Sequence, residues 1–325
     1  MRAIIPVAGV GARLRPHTYT LPKVLLNVAG KPILGHILDA LERQGISEAT
    51  IVVGYKADLV EEYVRSNYNL DVSFANQDDP MGLGHSVWIA RESIRNDEPL
   101  LIILGDTIFD VDLALASHSG YCSLGVKTVV DPRRFGVVET DGTFITRLVE
   151  KPEVPPSNSA IVGLYYITNP ALLKSCLDDL IRHNKRNRGE YQLTDALQMM
   201  IERGERFTTF PVEGWYDCGK PETLLATNRH LLDDASAYSV RDKTVIIPPV
   251  FIADSAKIVN SVIGPYATVA ENTTVMDSVV RNSIVSDGAT VTSSLLEESI
   301  IGNHSIVRGK FLRLNVGDSS EIDRC

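Results

Sequence analysis

From about residue 240 the apolar residues keep a spacing that few architectures can use. Val259, Val275, Val291 and Val307 stand sixteen apart, as do Val280, Leu296 and Leu312, and Val269, Val285 and Ile301. The inward steps therefore run five, five, six. Such a chain buries its aliphatic side chains by stacking coil on coil, because a single coil has no second layer to pack against. Three short strands per coil, each giving one aliphatic to a central stack, make a β-solenoid. The Ser-Val/Ile-Ile/Val triplets that begin at Ser261, Ser283 and Ser299 carry the same rhythm. A β-sandwich or an irregular tail would not need a fixed period.

The preceding two-thirds has a different texture. Strand-like runs at 3–7, 50–54, 72–75 and 100–104 alternate with helical patterns at 32–44, 59–68 and 86–94. In the first helix Ile33, Ile37, Leu38 and Leu41 share one face, and Gly45 ends it. Strands buried on both faces and separated by helices predict a mostly parallel α/β sheet. The boundary is expected between 1–238 and 239–325. In such sheets functional loops lie beyond the carboxyl ends of the strands, and Gly9, Gln77 and Asp106 each follow a predicted strand.

The first of those loops is the richest in chemistry. After the apolar run come Ala8-Gly9-Val10-Gly11, then Arg13, Arg15 and Lys23. Glycines let the backbone approach an anion, and cations neutralise phosphate, arginine as a fork and lysine as a point charge. A dinucleotide fold wants a third glycine at position 14, which is Leu, and nothing supplies the Gly-Lys-Ser/Thr of a Walker loop. The net charge of −9 argues against nucleic acid or an anionic membrane as partner, so a basic cluster in this chain points to a small anionic ligand. Cys122, Cys176, Cys218 and Cys325 are too scattered for a zinc site or disulfide framework and read as reduced thiols. No apolar run reaches the length of a membrane span, and a cytoplasmic location is the expectation.

The segment Gly9-Val-Gly11-Ala-Arg13-Leu-Arg15-Pro16-His-Thr18, with Pro22-Lys23 after it, resembles the signature of the sugar-1-phosphate nucleotidyltransferases, or NDP-sugar pyrophosphorylases. Ala12 departs from it, since the family usually has Thr there. The resemblance implies a Rossmann-like mixed sheet domain, and a C-terminal left-handed β-helix is itself a family architecture. The coil here is shorter than the eighteen residues of hexapeptide repeats.

Further motifs match. Gly105-Asp106 and Trp215-Tyr216-Asp217-Cys218-Gly219 look like the elements that supply two metal-binding carboxylates, so Asp106 and Asp217 are implied to hold Mg²⁺. Mg²⁺ takes oxygen ligands and bridges phosphates. Glu150-Lys151-Pro152 resembles the element whose Glu accepts from sugar hydroxyls and whose Lys steadies the sugar phosphate. Gly136, Gly163 and Tyr165 fall in segments similar to the sugar pocket. Gln77 and Gly82 fall in one similar to the base-recognition loop, and a glutamine amide suits the imide edge of uracil or thymine. His85 and Trp88 read as packing residues, and the basic run 182–188 as a solvated helix end, with a role near the active site or a subunit contact as the alternative.

The implied reaction joins a pyrimidine triphosphate, dTTP or UTP, to a sugar-1-phosphate, with glucose-1-phosphate the expected sugar. Sugar-phosphate oxygen attacks the α-phosphorus and pyrophosphate leaves. Because that phosphate is already ionised, no general base is needed, and Arg13, Lys23 and Lys151 act by charge and position. The nucleotide would rest on Ala8, Gly9, Gly11, Arg13, Lys23, Gln77 and Gly82. The sugar phosphate would rest on Gly136, Glu150, Lys151, Gly163 and Tyr165. The solenoid is read as an assembling or regulatory element, and a homo-oligomer is expected. Two alternatives remain open at this point: an acyltransferase activity in the solenoid, where His304 is the only histidine, and a sugar-nucleotide sensor without catalysis.

Overall fold

The structure is a computed structural model that describes residues 1–232, 239–241 and 243–309. Leu312, Cys325 and the expected break after 238 lie outside the described residues. The chain divides into two compact units. One comprises Met1–Leu26 and Lys31–Thr227, and the other comprises Asn27–Gly30 with the chain from Asn228 onward.

In the first unit the strands are β1 (Arg2–Pro6), β2 (Glu48–Val53), β3 (Asp71–Asn76), β4 (Leu100–Ile103), β5 (Thr107–Asp110), β6 (Cys122–Thr128), β7 (Gly136–Thr140), β8 (Ile145–Glu150), β9 (Ser159–Ile167), β10 (Phe207–Pro211) and β11 (Gly214–Asp217). Helices α1 (Ile33–Arg43), α2 (Ala57–Asn67), α3 (Leu83–Ile89), α4 (Pro170–Arg182) and α5 (Leu193–Glu202) lie between them. The nine-stranded sheet runs β8-β7-β9-β4-β1-β2-β3, and β6 and β10 extend it from β9. β1, β2, β3 and β4 are parallel neighbours, whereas β9 runs antiparallel to β4 and to β6. The mixed, largely parallel sheet expected from the sequence is therefore present.

Ile4, Val52 and Ile102 are fully covered, as strands sandwiched between helices must be. Each such side chain contributes roughly 1.5–3 kcal/mol by leaving water. β3 departs from the expectation of strands buried on both faces: its residues alternate between exposed and half-buried, because it is the sheet's edge. The helix expected at 86–94 starts earlier, at Leu83, and gives way to a 3₁₀ turn over Ala90–Ser93.

In the second unit three sheets form the faces of a β-helix, in which four parallel strands per sheet pair with their equivalents one coil apart, and the strand Ser239–Arg241 adds antiparallel to the edge of one sheet. Val275, Val291 and Val307 pair in register, as do Val280 with Leu296, and Val269, Val285 and Ile301. Val259 does not join them. Val275 pairs with Ile258, seventeen residues earlier, and Val259 is 39% exposed. The first turns are one residue longer than the later ones: Ile252 pairs with Val269 and Ile263 with Val280, both seventeen apart. The extra residue falls at the corner 264–266, which takes six residues from Ile263 to Val269 where the next coil takes five from Val280 to Val285.

Serines secure the corners. The Ser261 hydroxyl donates to the Val259 carbonyl and accepts from the Ser278 amide, and Ser278 repeats this with Met276 and Ser294. Ser283 does the same with Arg281 and Ser299 at another corner. Asn260, Asp277 and Ser293, each just before a corner serine, have φ between 47° and 51°. Short polar side chains tolerate that left-handed region best.

Candidate active site

The parallel strands β1, β2, β3 and β4 release their loops at one edge of the sheet, which assembles the site. Gly105 donates its amide to the Pro6 carbonyl, so the loop after β4 lies against the end of β1. The Gln77 amide donates to the Val53 carbonyl, and a Cβ on Gly54 would lie 2.9 Å from both the Ala8 Cβ and the Gln77 carbonyl. Ala8, Gly54, Gln77 and Asp106 are thus brought to one edge from positions spread over a hundred residues.

Gly11 adopts φ 66°, and a Cβ there would lie 2.9 Å from the Lys23 Cβ. The Thr18 hydroxyl donates to the Gly11 carbonyl at 2.9 Å and pins the turn. Lys23 is buried, and its Nζ reaches Asp106 Oδ2 at 2.7 Å. Asp106 and Asp217, 111 residues apart in sequence, meet because β5 and β11 form an antiparallel ribbon in which Thr107 pairs with Asp217. The Cys218 amide also donates to the Asp106 carbonyl. A Cβ on Gly219 would lie 2.7 Å from Asp217 Oδ1 and 2.9 Å from Arg13 Nη2, so the carboxylate and the guanidinium both come close against this glycine. Beside them the Cys218 thiol is pushed up to about 12, first by burial, and remains an uncharged packing group.

Arg13, Asp106, Lys151 and Asp217 line one cavity of about 840 Å³. Glu150, Lys151, Gly136 and Tyr165 line an adjoining one of about 240 Å³ that shares Leu104, Phe135 and Ile161 with the first. Thr194 donates to Glu150 Oε2 at 2.7 Å, and Lys151 Nζ lies 3.3 Å from Oε1, so the carboxylate is held from both sides. Burial, with the charges of Glu150 and Asp106 adding, raises the Tyr165 pKa and keeps its hydroxyl protonated. Gly163, with φ 98°, sits in a bulge where the β9–β6 register shifts, and its carbonyl accepts from the Leu104 amide. Gln77 and Gly82 stand apart from both cavities' walls, joined to each other by a 3.4 Å contact from Gln77 Nε2 to the Gly82 carbonyl. The Gly84 amide donates to Tyr191, and Tyr191 to Met81, which ties this loop to the segment carrying Glu190 and Gln192 of the smaller cavity.

Several lining residues escaped the sequence reading. Arg133, Arg134, Arg188 and Lys220 all face the larger cavity. Arg188 favours the alternative reading of 182–188, a place near the site, over a solvated helix end. Only Arg182 belongs to α4; Arg186 lies over the Tyr191 ring, and Arg188 donates to the Lys151 carbonyl at 2.9 Å. Arginines crowded into one run look like a solubilising face, and only the turn after α4 separates their roles. His85 is likewise more than packing, because its Nδ1 lies 2.8 Å from Gln77 Nε2.

Two carboxylates without a third do not form a closed metal cage, and among the described residues no group of three or more His, Cys, Asp and Glu is arranged to hold a metal ion. Mg²⁺ is a cation commonly held by one or two carboxylates with substrate phosphates completing its shell. The pair Asp106 and Asp217 therefore fits a site that metal and phosphate fill together.

A glycine turn, clustered cations and a carboxylate pair at the carboxyl edge of an α/β sheet define a phosphate-handling transferase. The chain belongs to the nucleotidyl transferase family, whose profile matches residues 2–234. It is 31% identical over 317 residues to the low-salt glycan biosynthesis nucleotidyltransferase Agl11 of Haloferax volcanii, covering 88% of this chain and 87% of that one. It is 34% identical over 320 residues to a glucose-1-phosphate thymidylyltransferase of Streptomyces griseus, covering 89% and 88%. A crystal structure of a UDP-glucose pyrophosphorylase complexed with UDP-glucose superposes with TM-score 0.62 at 25% identity, covering 72% of this chain and 99% of that one. No helix among the described residues is long and apolar enough to cross a membrane.

Proposed function

We propose that this enzyme transfers a nucleotidyl group from UTP or dTTP to a hexose-1-phosphate, with glucose-1-phosphate the preferred sugar, and releases pyrophosphate. The observation that carries the reading is the meeting of Asp106 and Asp217 beside Lys23 and Arg13, in a cavity that adjoins Glu150 and Lys151. Triphosphate and sugar phosphate are both polyanions, and this chain concentrates its cations where the two would meet.

Arg13 lies at the mouth and neutralises charge building on the departing pyrophosphate. Lys23 holds the α-phosphate, and its ion pair with Asp106 keeps it aimed there before substrate arrives. Lys151 and Arg188 steady the sugar phosphate, and Glu150, fixed by Thr194, accepts from sugar hydroxyls. Ala8, Gly9 and Gly11 let the nucleotide approach the backbone, while Gln77 and Gly82 read the base. Gly136, Gly163 and Tyr165 shape the sugar end. Mg²⁺ bound to Asp106 and Asp217 would supply positive charge to the phosphate oxygens. Fixed charge in a shaped cavity then performs the transfer without a protein nucleophile.

Agl11 and the Streptomyces thymidylyltransferase extend along most of this chain, which favours catalysis over sensing. The Streptomyces thymidylyltransferase likewise favours nucleotidyl transfer over an acyltransferase activity in the solenoid. We further propose that the protein works in the cytoplasm as a homo-oligomer. The test is a pyrophosphate-release matrix of five nucleoside triphosphates against several sugar-1-phosphates with Mg²⁺. Release with UTP or dTTP and glucose-1-phosphate is expected, and no release in any combination would sink the assignment. In the same assay Asp217→Asn should raise the Mg²⁺ requirement.

A further inference from the structure

Arg188 stands where the backbone does not favour an arginine. Asn187 and Glu190 exchange both backbone hydrogen bonds, at 2.9 and 3.1 Å, which closes a two-residue hairpin turn with Arg188 and Gly189 at its tip. Both tip residues are left-handed, with φ 53° and 85°. Such turns favour Asn, Asp or Gly at the first of these positions, and arginine carries the left-handed penalty instead. A residue persists in that state when its surroundings hold it there. Lys151, whose carbonyl accepts from Arg188, is left-handed too, with φ 43°.

Arg186 supplies that hold. Its Nε donates to Asn184 Oδ1 at 2.8 Å, its Nη1 to the Gly189 carbonyl at 3.4 Å and its Nη2 to the Tyr191 hydroxyl at 3.2 Å. The guanidinium also lies 4.5 Å from the centre of the Tyr191 ring. The Tyr191 hydroxyl donates in turn to Asn184 Oδ1 at 2.7 Å, which closes the network. One planar fork therefore joins the chain before the turn, the tip itself and the chain after it. Tyr191 is a firm post for this, being 5% exposed and bound by its backbone to Met81 and Gly84, both at 2.8 Å. A Cβ on Gly82 or Gly84 would lie 2.7 or 2.9 Å from the Tyr191 carbonyl, so the two segments are in close backbone contact.

We propose that Arg186 is a positioning residue for the transfer: by pinning the 187–190 turn to Tyr191 it sets where the Arg188 guanidinium stands, and so where the sugar phosphate is held. The inference rests on the sugar-phosphate site proposed above and deepens it. Arg186 is not among the residues lining either cavity, whereas Arg188 lines the larger one. A long side chain such as that of Arg188 has much rotamer freedom to lose, so a fixed backbone beneath it lowers the cost of ordering it on the phosphate. Without the fork the tip is free to relax from its left-handed state, and the guanidinium moves with it. The Tyr191 bonds to Met81 and Gly84 run backbone to backbone and do not involve the Arg186 side chain, so the loop carrying Gly82 keeps its geometry.

The test is pyrophosphate release from UTP and glucose-1-phosphate, with calorimetric binding of glucose-1-phosphate alongside. It compares the wild type with Arg186→Ala, Arg186→Lys, Arg188→Ala and the double variant Arg186→Ala/Arg188→Ala. Arg186→Ala should lower kcat/KM for glucose-1-phosphate by ~10-fold, about the effect of one well-formed hydrogen bond, with KM for UTP unchanged. Arg186→Lys keeps the charge but not the fork and should recover little, and full recovery would overturn the geometric role. Once Arg188 is alanine, Arg186→Ala should cost nothing further, because no guanidinium is left to place. Losses that multiply in the double variant, or an equal rise in both KM values, would overturn the proposal. If Arg186→Ala does not fold, Tyr191→Phe removes the hydroxyl that accepts from Arg186 and should show the same loss and the same silence beside Arg188→Ala. Multiplying losses in an enzyme that releases pyrophosphate would remove this inference and leave nucleotidyl transfer standing. If the wild type releases none, weaker glucose-1-phosphate binding by Arg186→Ala than by the wild type keeps the inference while the transfer reading falls, and equal binding removes both.

Discussion

The two units use their residues in opposite ways. In the α/β unit each chemical position occurs once: one Lys23 on Asp106, one Thr194 on Glu150, one Gly219 between Arg13 and Asp217. In the β-helix the same position recurs coil after coil, as Val275, Val291 and Val307 or Ser261, Ser278 and Ser294 do. A site must hold different groups at fixed angles, so no residue substitutes for another. A solenoid needs only nearest-neighbour stacking, so its stability is a sum of similar increments. Substitutions at the site residues of the first unit should strike activity and spare stability, and those in the stack of the second should do the converse.

The largest test of that contrast is Arg13→Ala. Arg13 is exposed at the cavity, and its loss should lower turnover by ~100–1,000-fold, about 3–4 kcal/mol of transition-state stabilisation. Its melting temperature should match the wild type's. Near-normal turnover would remove Arg13 from the machinery. Next comes Val275→Ala in the buried stack of the β-helix, expected to cost about 2 kcal/mol of stability through lost burial and the cavity left behind. Urea melts followed in parallel with kcat would show the midpoint falling while turnover per folded molecule holds. A drop in kcat as large as that of Arg13→Ala would break the division of labour.

Smaller effects sharpen the comparison. Thr194→Val removes the donor that fixes Glu150 and should raise KM for the sugar phosphate by ~5–10-fold, about the worth of one hydrogen bond, leaving KM for the triphosphate alone. An equal rise in both constants would place Thr194 in the general architecture. Ser278→Ala should cost about 1 kcal/mol, since it leaves the Ser294 amide without its corner acceptor. Each corner serine repeats this arrangement, so Ser261→Ala should give nearly the same value, and a tenfold disparity in unfolding constants would contradict additive coils.

The sequence carried much of this. Regular periods survive translation into structure because local sterics and burial enforce them, so the alternating elements and most of the solenoid register were legible. It failed at Val259, where a longer corner shifted the register and one position of the sixteen-residue ladder pointed outward. It left Arg188 undecided and failed at His85, because a residue's type and spacing do not name its partner. Arg188 shares a basic run with Arg182 and Arg186 but alone turns back to the Lys151 carbonyl. His85 lies on a short helix like any packing residue, and only the approach of Gln77 from the end of β3 gives it a partner.

The sequence by itself determined the class of chemistry, since a glycine turn with cations after it can serve few ligands other than phosphate. It also determined the division into an alternating region and a repeating one, because hydrophobic period is a local property. Only the tertiary structure decided that Asp106 and Asp217 meet, because a ribbon between two strands a hundred residues apart leaves no trace in spacing.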